Sequence, residues 1–407
     1  MRVAHALWER LQGLGTRRFA VLFALLALAL RLPFLFGHHE ATPGGDSAGY
    51  LRMAAGIVAG RGFRDDGYRT PGYPLVLAAL DPLPGRPEDA VVAIQHMLGA
   101  VLVAAIVMVA WRFFGRAAAV IAGAMAAATP ALVYVEHAIL TDFAFAVALL
   151  AGAAALAHAV ERPGRLRPLI LTGVLFGIAT LIRPVGQFLL LAAPVALAYG
   201  WRAPRAVLRG SVAVGLAMLV VVAPWVVRNA VVIHRPTVSV MTGDTLFVRA
   251  FEVDHLPIPT DSATGRLAVA AVRAQPGMRP VSAFATELAR RGDSHLEILD
   301  AERALATTAI RRAPLTYLRG TVRETSRMTL DSRAVRAQDA PGNDTFLRSS
   351  IPGPSPLPTR ASTVVWDATE PLAGLWWLLS LHGFAGVLVL VLGRRRERRA
   401  AMALIAV

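Results

Sequence analysis

Cysteine is absent from the 407-residue chain, and no lysine occurs either. The first absence excludes a disulfide framework and a thiol nucleophile. The second makes all 42 basic residues arginine. Charge is scarce, at 17% against 55% hydrophobic residues, and mean hydropathy is +0.53. Soluble domains carry about 25% charged residues, so an ordinary soluble domain is excluded. No glycine-rich phosphate loop and no dinucleotide fingerprint occurs. No 20–50-residue repeat is visible, which argues against a solenoid.

What the chain has instead is a series of apolar runs near the ~20 residues that cross a bilayer. They fall at about 19–36, 90–111, 117–135, 139–159, 169–182, 185–200, 211–227 and 371–392, and the chain stops at Val407 inside a ninth. The first run carries Arg31 and lacks a small-x-small cleavage site behind it, so it reads as a retained span. The expected class is all-α, a polytopic helical membrane protein. The expected organisation is an N-terminal transmembrane module over 1–227, an extracytoplasmic loop region over 228–370, and an incomplete C-terminal transmembrane segment over 371–407.

The arginines are placed unevenly. The N-terminal tail and alternate connections hold 17 of them, the last five in Arg394–Arg399, while the short connections 136–141 and 183–184 hold only Arg183. The positive-inside rule puts the N-terminus in the cytoplasm of an inner or plasma membrane. Segments 38–89, 136–141, 183–184 and 228–370 then face outward. This also accounts for the net charge of +15 without nucleic acid.

The residues able to carry chemistry fall on that outer face. Gly44-Gly45 release the chain before Asp46, which either caps a helix or acts in chemistry; Tyr50, four residues on, shares its helical face. Residues 47–60 and 75–80 read as short helices at the interface, flanking a turn at Tyr68-Arg69-Thr70-Pro71-Gly72-Tyr73-Pro74. Glu136 and His137 close span three, and Asp142 opens span four, where an acid also suits a helix N-terminus. Arg183-Pro184 breaks the chain between two short spans, which sinks a costly charge toward the membrane. Arg31 is a weaker case of the same kind. Trp225, Arg228 and Asn229 close span seven. Ala301–Met328 reads as one helix against the membrane surface, with six arginines from Arg303 to Arg327. His38 and His39 are adjacent, point apart, and do not read as a metal site.

Together these motifs resemble the polyprenyl-phosphate-sugar-dependent glycosyltransferases of the GT-C fold, among them the dolichyl-phosphate-mannose protein mannosyltransferases and the lipid A aminoarabinose transferase. The matching residues are Asp46 with Tyr50, Arg69 through Pro74, Leu140-Thr141-Asp142, Arg183-Pro184, and Pro224-Trp225-Val226-Val227-Arg228-Asn229. Many relatives carry Asp-Glu where this chain has Asp46-Ser47. The resemblance spans roughly 19–250.

The resemblance implies transfer of a sugar from a polyprenyl-phosphate carrier to an acceptor hydroxyl of a lipid, glycan or protein, with inversion. Asp46 and Asp142 are then the catalytic residues, Asp46 as base. Tyr50, Arg69, Tyr73, Glu136, His137, Arg183, Arg228 and Asn229 are the substrate-binding candidates. No cofactor is implied, because the lipid-linked sugar is a substrate, and nothing in the residues supports a divalent metal. Membrane lipids are the other expected partner. A transporter or flippase of lipid-linked sugars, or a non-catalytic subunit of an envelope assembly, would use the same arginines without transferring anything.

Overall fold

The computed structural model describes residues 15–37, 46–63, 67–82, 87–201, 203–330 and the isolated 364, 365 and 368. The expectations for His38, His39, the 331–362 loop, span eight and Arg394–Arg399 lie outside the described residues. Among the described residues every regular element is helical, and the class is an all-α polytopic membrane protein.

The helices are α1 (Thr16–Gly37), α2 (Ser47–Val58), α3 (Gly72–Leu80), α4 (Pro87–Phe114), α5 (Arg116–Ala128), α6 (Pro130–His137), α7 (Thr141–Glu161) and α8 (Leu166–Ile182). A 3₁₀ stretch, Pro184–Leu191, leads into α9 (Ala192–Gly200) and α10 (Pro204–Val232). Then come α11 (Thr242–Phe247), a π-turn at Val248–Val253, α12 (Ala263–Ala274), α13 (Pro280–Arg290), α14 (His295–Arg312) and α15 (Pro314–Leu330). Among the described residues four helices are long and apolar enough to cross a membrane: α1, α4, α7 and α10. Three further apolar stretches, in α5, α8 and Pro184–Gly200, are shorter.

Prolines account for the departures from the sequence reading. Span three breaks at Thr129-Pro130 into α5 and α6, because Pro130 has no N–H to continue the helix. Span six begins as a 3₁₀ turn behind Pro184. The single helix expected over 301–328 is two, α14 and α15, parted at Ala313-Pro314.

The chain forms two compact units. Of the described residues, the first holds those up to Gly62, those from Gly72 to Val222, and those from Leu330 onward. In it α7 packs along α8, and α4 packs on both α1 and α5. The second holds Phe63–Pro71 and Ala223–Thr329. Its core is Phe247, Phe251, Phe284, Leu288, Ile298 and Leu305, with Phe247 stacked on Phe284 at 5.5 Å. Residues 63–71, in the first outer loop by sequence, thus pack with the second unit.

The orientation is testable because the chain has no cysteine of its own. Ile139, between α6 and α7, is only 1% exposed and unsuited to labelling. Asp81 and Arg162 are exposed. Asp81→Cys should react with an impermeant thiol reagent on intact cells, and Arg162→Cys only after the cells are opened. The reverse pattern would invert the topology.

Candidate functional site

The first unit is built around an ion pair. Arg31, in the middle of α1, and Glu136, near the end of α6, are both fully buried. Arg31 Nε donates to Glu136 Oε2 at 2.6 Å and Nη2 to Oε1 at 2.7 Å, a bidentate pair. Nη1 donates to the carbonyls of Ala27 and Ala127 at 3.0 and 3.1 Å. Ala127 is available because the last carbonyls of a helix lack intrahelical partners. Gly99 in α4 clears the space: a Cβ there would sit 2.1 Å from Glu136 Oε1.

Two histidines extend the pair. His96 Nδ1 lies 2.8 Å from Glu136 Oε2, and His96 Nε2 lies 3.0 Å from His137 Nδ1. A carboxylate already engaged with Arg31 accepts from His96 Nδ1–H, which leaves Nε2 to accept from His137 Nδ1–H. Gln95, next on α4, donates to the backbone carbonyls of Glu136 at 2.7 Å and Ala138 at 3.2 Å, and accepts from Tyr73 Oη at 3.3 Å.

The strap 136–140 so held leads directly into α7 and Asp142. Ser47, the first residue of α2, donates from Oγ to the carbonyl of Ile139 at 3.0 Å. The start of the Asp46 helix is therefore tied to the strap that sets Asp142. Asp46 occupies the N-cap position of α2, but its side chain makes no capping hydrogen bond, and it is exposed. Asp142 lies in the first turn of α7 and pairs with Arg183 Nη1, which follows the end of α8; their side chains are 46% and 39% exposed. Tyr50 of α2 meets Tyr73 of α3 edge-on at 5.5 Å. Burial, then the neighbouring Tyr50 and the charge of Asp142, push the Tyr73 hydroxyl above its ordinary value.

Arg69, Arg228 and Asn229 lie in the second unit. Arg228 stacks on Trp225 at 4.9 Å and donates to the Phe63 carbonyl at 2.6 Å and to Asn229 Oδ1 at 2.9 Å. Asn229, fully buried, donates to the Thr237 carbonyl at 2.9 Å, and Trp225 Nε1 donates to Val238 at 2.9 Å. These residues latch the end of α10 onto the loops around 63 and 237. Arg69 stacks on Tyr68 at 5.3 Å. Tyr68 in turn donates to Asp244 Oδ2 at 2.6 Å.

Glu302 of α14 is 2% exposed and faces Asp244 and His295. Burial, reinforced by the charge of Asp244 and partly offset by His295, pushes its carboxyl up to about 8. Among the described residues no three His, Asp or Glu side chains are grouped to hold a metal ion.

The structure thus gathers Asp46, Tyr50, Tyr73, Glu136, His137, Asp142 and Arg183 in one unit, with Glu136 and His137 buried rather than presented to a ligand. Gln95 and His96 escaped the sequence reading. Their signal was two adjacent polar residues inside an apolar run, where polar groups find partners in the bundle.

With this geometry in hand, comparison with known proteins is informative over part of the chain. Residues 68–227 match the model of the dolichyl-phosphate-mannose-protein mannosyltransferase family, which bears out the resemblance for that stretch. Crystal structures of ArnT from Cupriavidus metallidurans, apo and bound to undecaprenyl phosphate, are each 18% identical with a TM-score of 0.43. The alignments cover 95% and 96% of this chain and 74% and 75% of ArnT. A likeness of that degree carries no functional argument. No curated protein sequence matches the chain.

Three substitutions test the polar interior. Removing one partner of a buried pair strands the other charge and costs about 3–5 kcal/mol. Glu136→Leu should therefore abolish stable expression, while Arg31→Leu combined with Glu136→Leu should recover much of it. Equal loss in single and double variants, measured by monodisperse yield in detergent, would deny the pair this role. For Glu302, the folded value lies above the ordinary 4.5. The folded state then binds the proton more tightly, so stability falls as pH rises through the window from about 4.5 to 8, by about 1.4 kcal/mol per unit. Glu302→Gln should unfold at a higher temperature than wild type at pH 8, with the gap closing toward pH 5. A gap independent of pH would contradict the assignment.

Proposed function

We propose that this chain is an integral-membrane glycosyltransferase, moving a sugar from a polyprenyl-phosphate carrier to an acceptor hydroxyl on the extracytoplasmic face. One observation carries the reading. The stretch matching the mannosyltransferase family contains a half-exposed acid–arginine pair, Asp142 with Arg183. The helix start bearing Asp46 is hydrogen-bonded to the strap before that pair.

The chemistry asks for few groups. Sugar phosphate is already activated, so no general acid is needed once the leaving phosphate's charge is held. Asp46 takes the proton of the acceptor hydroxyl, whose oxygen attacks the anomeric carbon from the side opposite the phosphate. The bond from that carbon to the phosphate oxygen breaks, and the configuration inverts. Arg183 carries the phosphate charge. Asp142, aligned by Arg183, orients the acceptor. Tyr50 and Tyr73 wall the sugar. Glu136 and His137 act through the strap.

Purified protein in lipid, given a panel of radiolabelled polyprenyl-phosphate sugars, tests the reading. An N-cap role predicts a neutral Asp46→Asn, because Asn caps about as well. A base predicts a loss of about 10²–10⁴-fold in transfer with donor binding and thermal stability intact. Asp142→Asn should lose less. Arg183→Ala should weaken donor binding roughly 10- to 150-fold, the value of a charge-assisted hydrogen bond. Normal turnover by Asp46→Asn would end the catalytic assignment and favour a transporter or an assembly subunit.

A further inference from the structure

The second unit buries its apolar side chains well, with one exception. Beyond the end of α10, its large hydrophobic residues left exposed are Met278, Leu315, Leu318 and Val322. Three of those four stand on α15, at 67%, 58% and 59% exposure. Their spacing of i, i+3 and i+7 puts them on one face.

That face is opposite the one by which α15 is attached. Arg249 lies over the Tyr317 ring at 5.7 Å. Gly320 is so close to Asp254 that a Cβ would meet Oδ1 at 1.9 Å. The Glu324 side chain is 14% exposed and engaged by Arg323 at 3.1 Å. Tyr317 and Gly320, at i and i+3, form the attached face together with Arg323, which donates to the Val253 carbonyl at 3.0 Å, so the helix cannot turn to bury its leucines without breaking these contacts.

Charge flanks the bare stripe. Arg319 borders it on α15 and Arg311 and Arg312 end α14, whereas Arg323 and Arg327 pair with Glu324, and Arg323 also donates to the Val253 carbonyl. Glu324 is the one acid on α15. Arg312 is paired with Asp261, whereas Arg311 and Arg319 make no ion pair among the described residues. An apolar stripe bordered by arginines suits a helix lying in a lipid headgroup layer, where arginine stems reach outward and guanidinium groups meet phosphates. Anionic headgroups add roughly 1 kcal/mol of attraction per arginine, about fivefold in affinity.

We propose that α15 seats Leu315, Leu318 and Val322 in an anionic lipid surface. Charge selects this occupant over two others. The apolar segment 371–392 of the same chain is followed by five arginines, and a second copy brings a net charge of +15. Both would set like charges against Arg311 and Arg319.

The cysteine-free chain makes the test direct. Full-length Leu318→Cys, carrying an environment-sensitive fluorophore, is reconstituted in vesicles of phosphatidylcholine with or without phosphatidylglycerol and with quenchers on the lipid tails. Thr260→Cys, exposed elsewhere on the same unit, is the control. The expected result is quenching at position 318 and not at 260, rising with phosphatidylglycerol. In Arg319→Gln the lipid titration should shift about fivefold. Emission typical of water at 318 would overturn the proposal. So would a shielded fluorophore that lipid quenchers do not reach, which would mean that protein covers the face. Quenching indifferent to phosphatidylglycerol and to Arg319 would overturn the anionic assignment.

Discussion

The first unit depends on the burial of Arg31 against Glu136. Two ions removed from water cost several kcal/mol each unless their donors and acceptors are filled. Here they are filled by groups from different helices: α1 supplies Arg31 and the Ala27 carbonyl, α5 the Ala127 carbonyl, α6 Glu136 and α4 His96. Between apolar helices in lipid, burial gives little directional preference, because lipid tails are as apolar as leucine. The pair supplies that direction. It fixes the register of four helices at one point, and Gly99 and the break at Pro130 both follow from the space and the open carbonyl it requires.

From this point order passes outward through the backbone. Glu136 is held by its side chain, and the residues after it by theirs or by neighbours: Gln95 takes the Glu136 and Ala138 carbonyls, and Ser47 donates to Ile139. A loop with its carbonyls satisfied one after another by buried side chains is a rigid mount. Asp142 begins the next helix on that mount, and α2 starts from it. A residue with no exposed atom can in this way decide where an exposed carboxylate stands.

The helices and the polar residues between them were legible in the sequence because they rest on local signals: apolar runs, prolines and breaks in hydropathy. α2 and α3 appear close to where composition placed them, and α1 extends a few residues beyond the expected span. The division of labour was less legible. Glu136 and His137 read as substrate contacts because they are polar at a membrane boundary, but their partners, Arg31 and His96, lie 105 and 41 residues away in the chain, and no local pattern announces a contact at that distance. The Arg228-Asn229 dipeptide reads as a ligand-facing pair, and its hydrogen bonds include the distant backbone carbonyls of Phe63 and Thr237, which no local pattern announces. The split of the 301–328 helix could have been read from Pro314 alone, since proline is welcome at a helix start and not within one.

The environments of the two acids separate their roles on the proposed reading. Asp142 has its charge answered by Arg183, and lone pairs directed at a guanidinium are poorly disposed to receive a proton from an incoming hydroxyl. Asp46 is exposed, and the capping interaction that its position invites is not made. A cap-competent aspartate normally spends its carboxylate on the N–H groups of the first turn. Here Ser47, next in the chain, instead donates to the strap at Ile139, so the helix start is secured from outside and the Asp46 carboxylate is not needed to secure it. Anchoring by one residue and proton transfer by its neighbour is a division that Asp-Ser permits. The second position contributes a hydroxyl donor to the fold rather than a second charge.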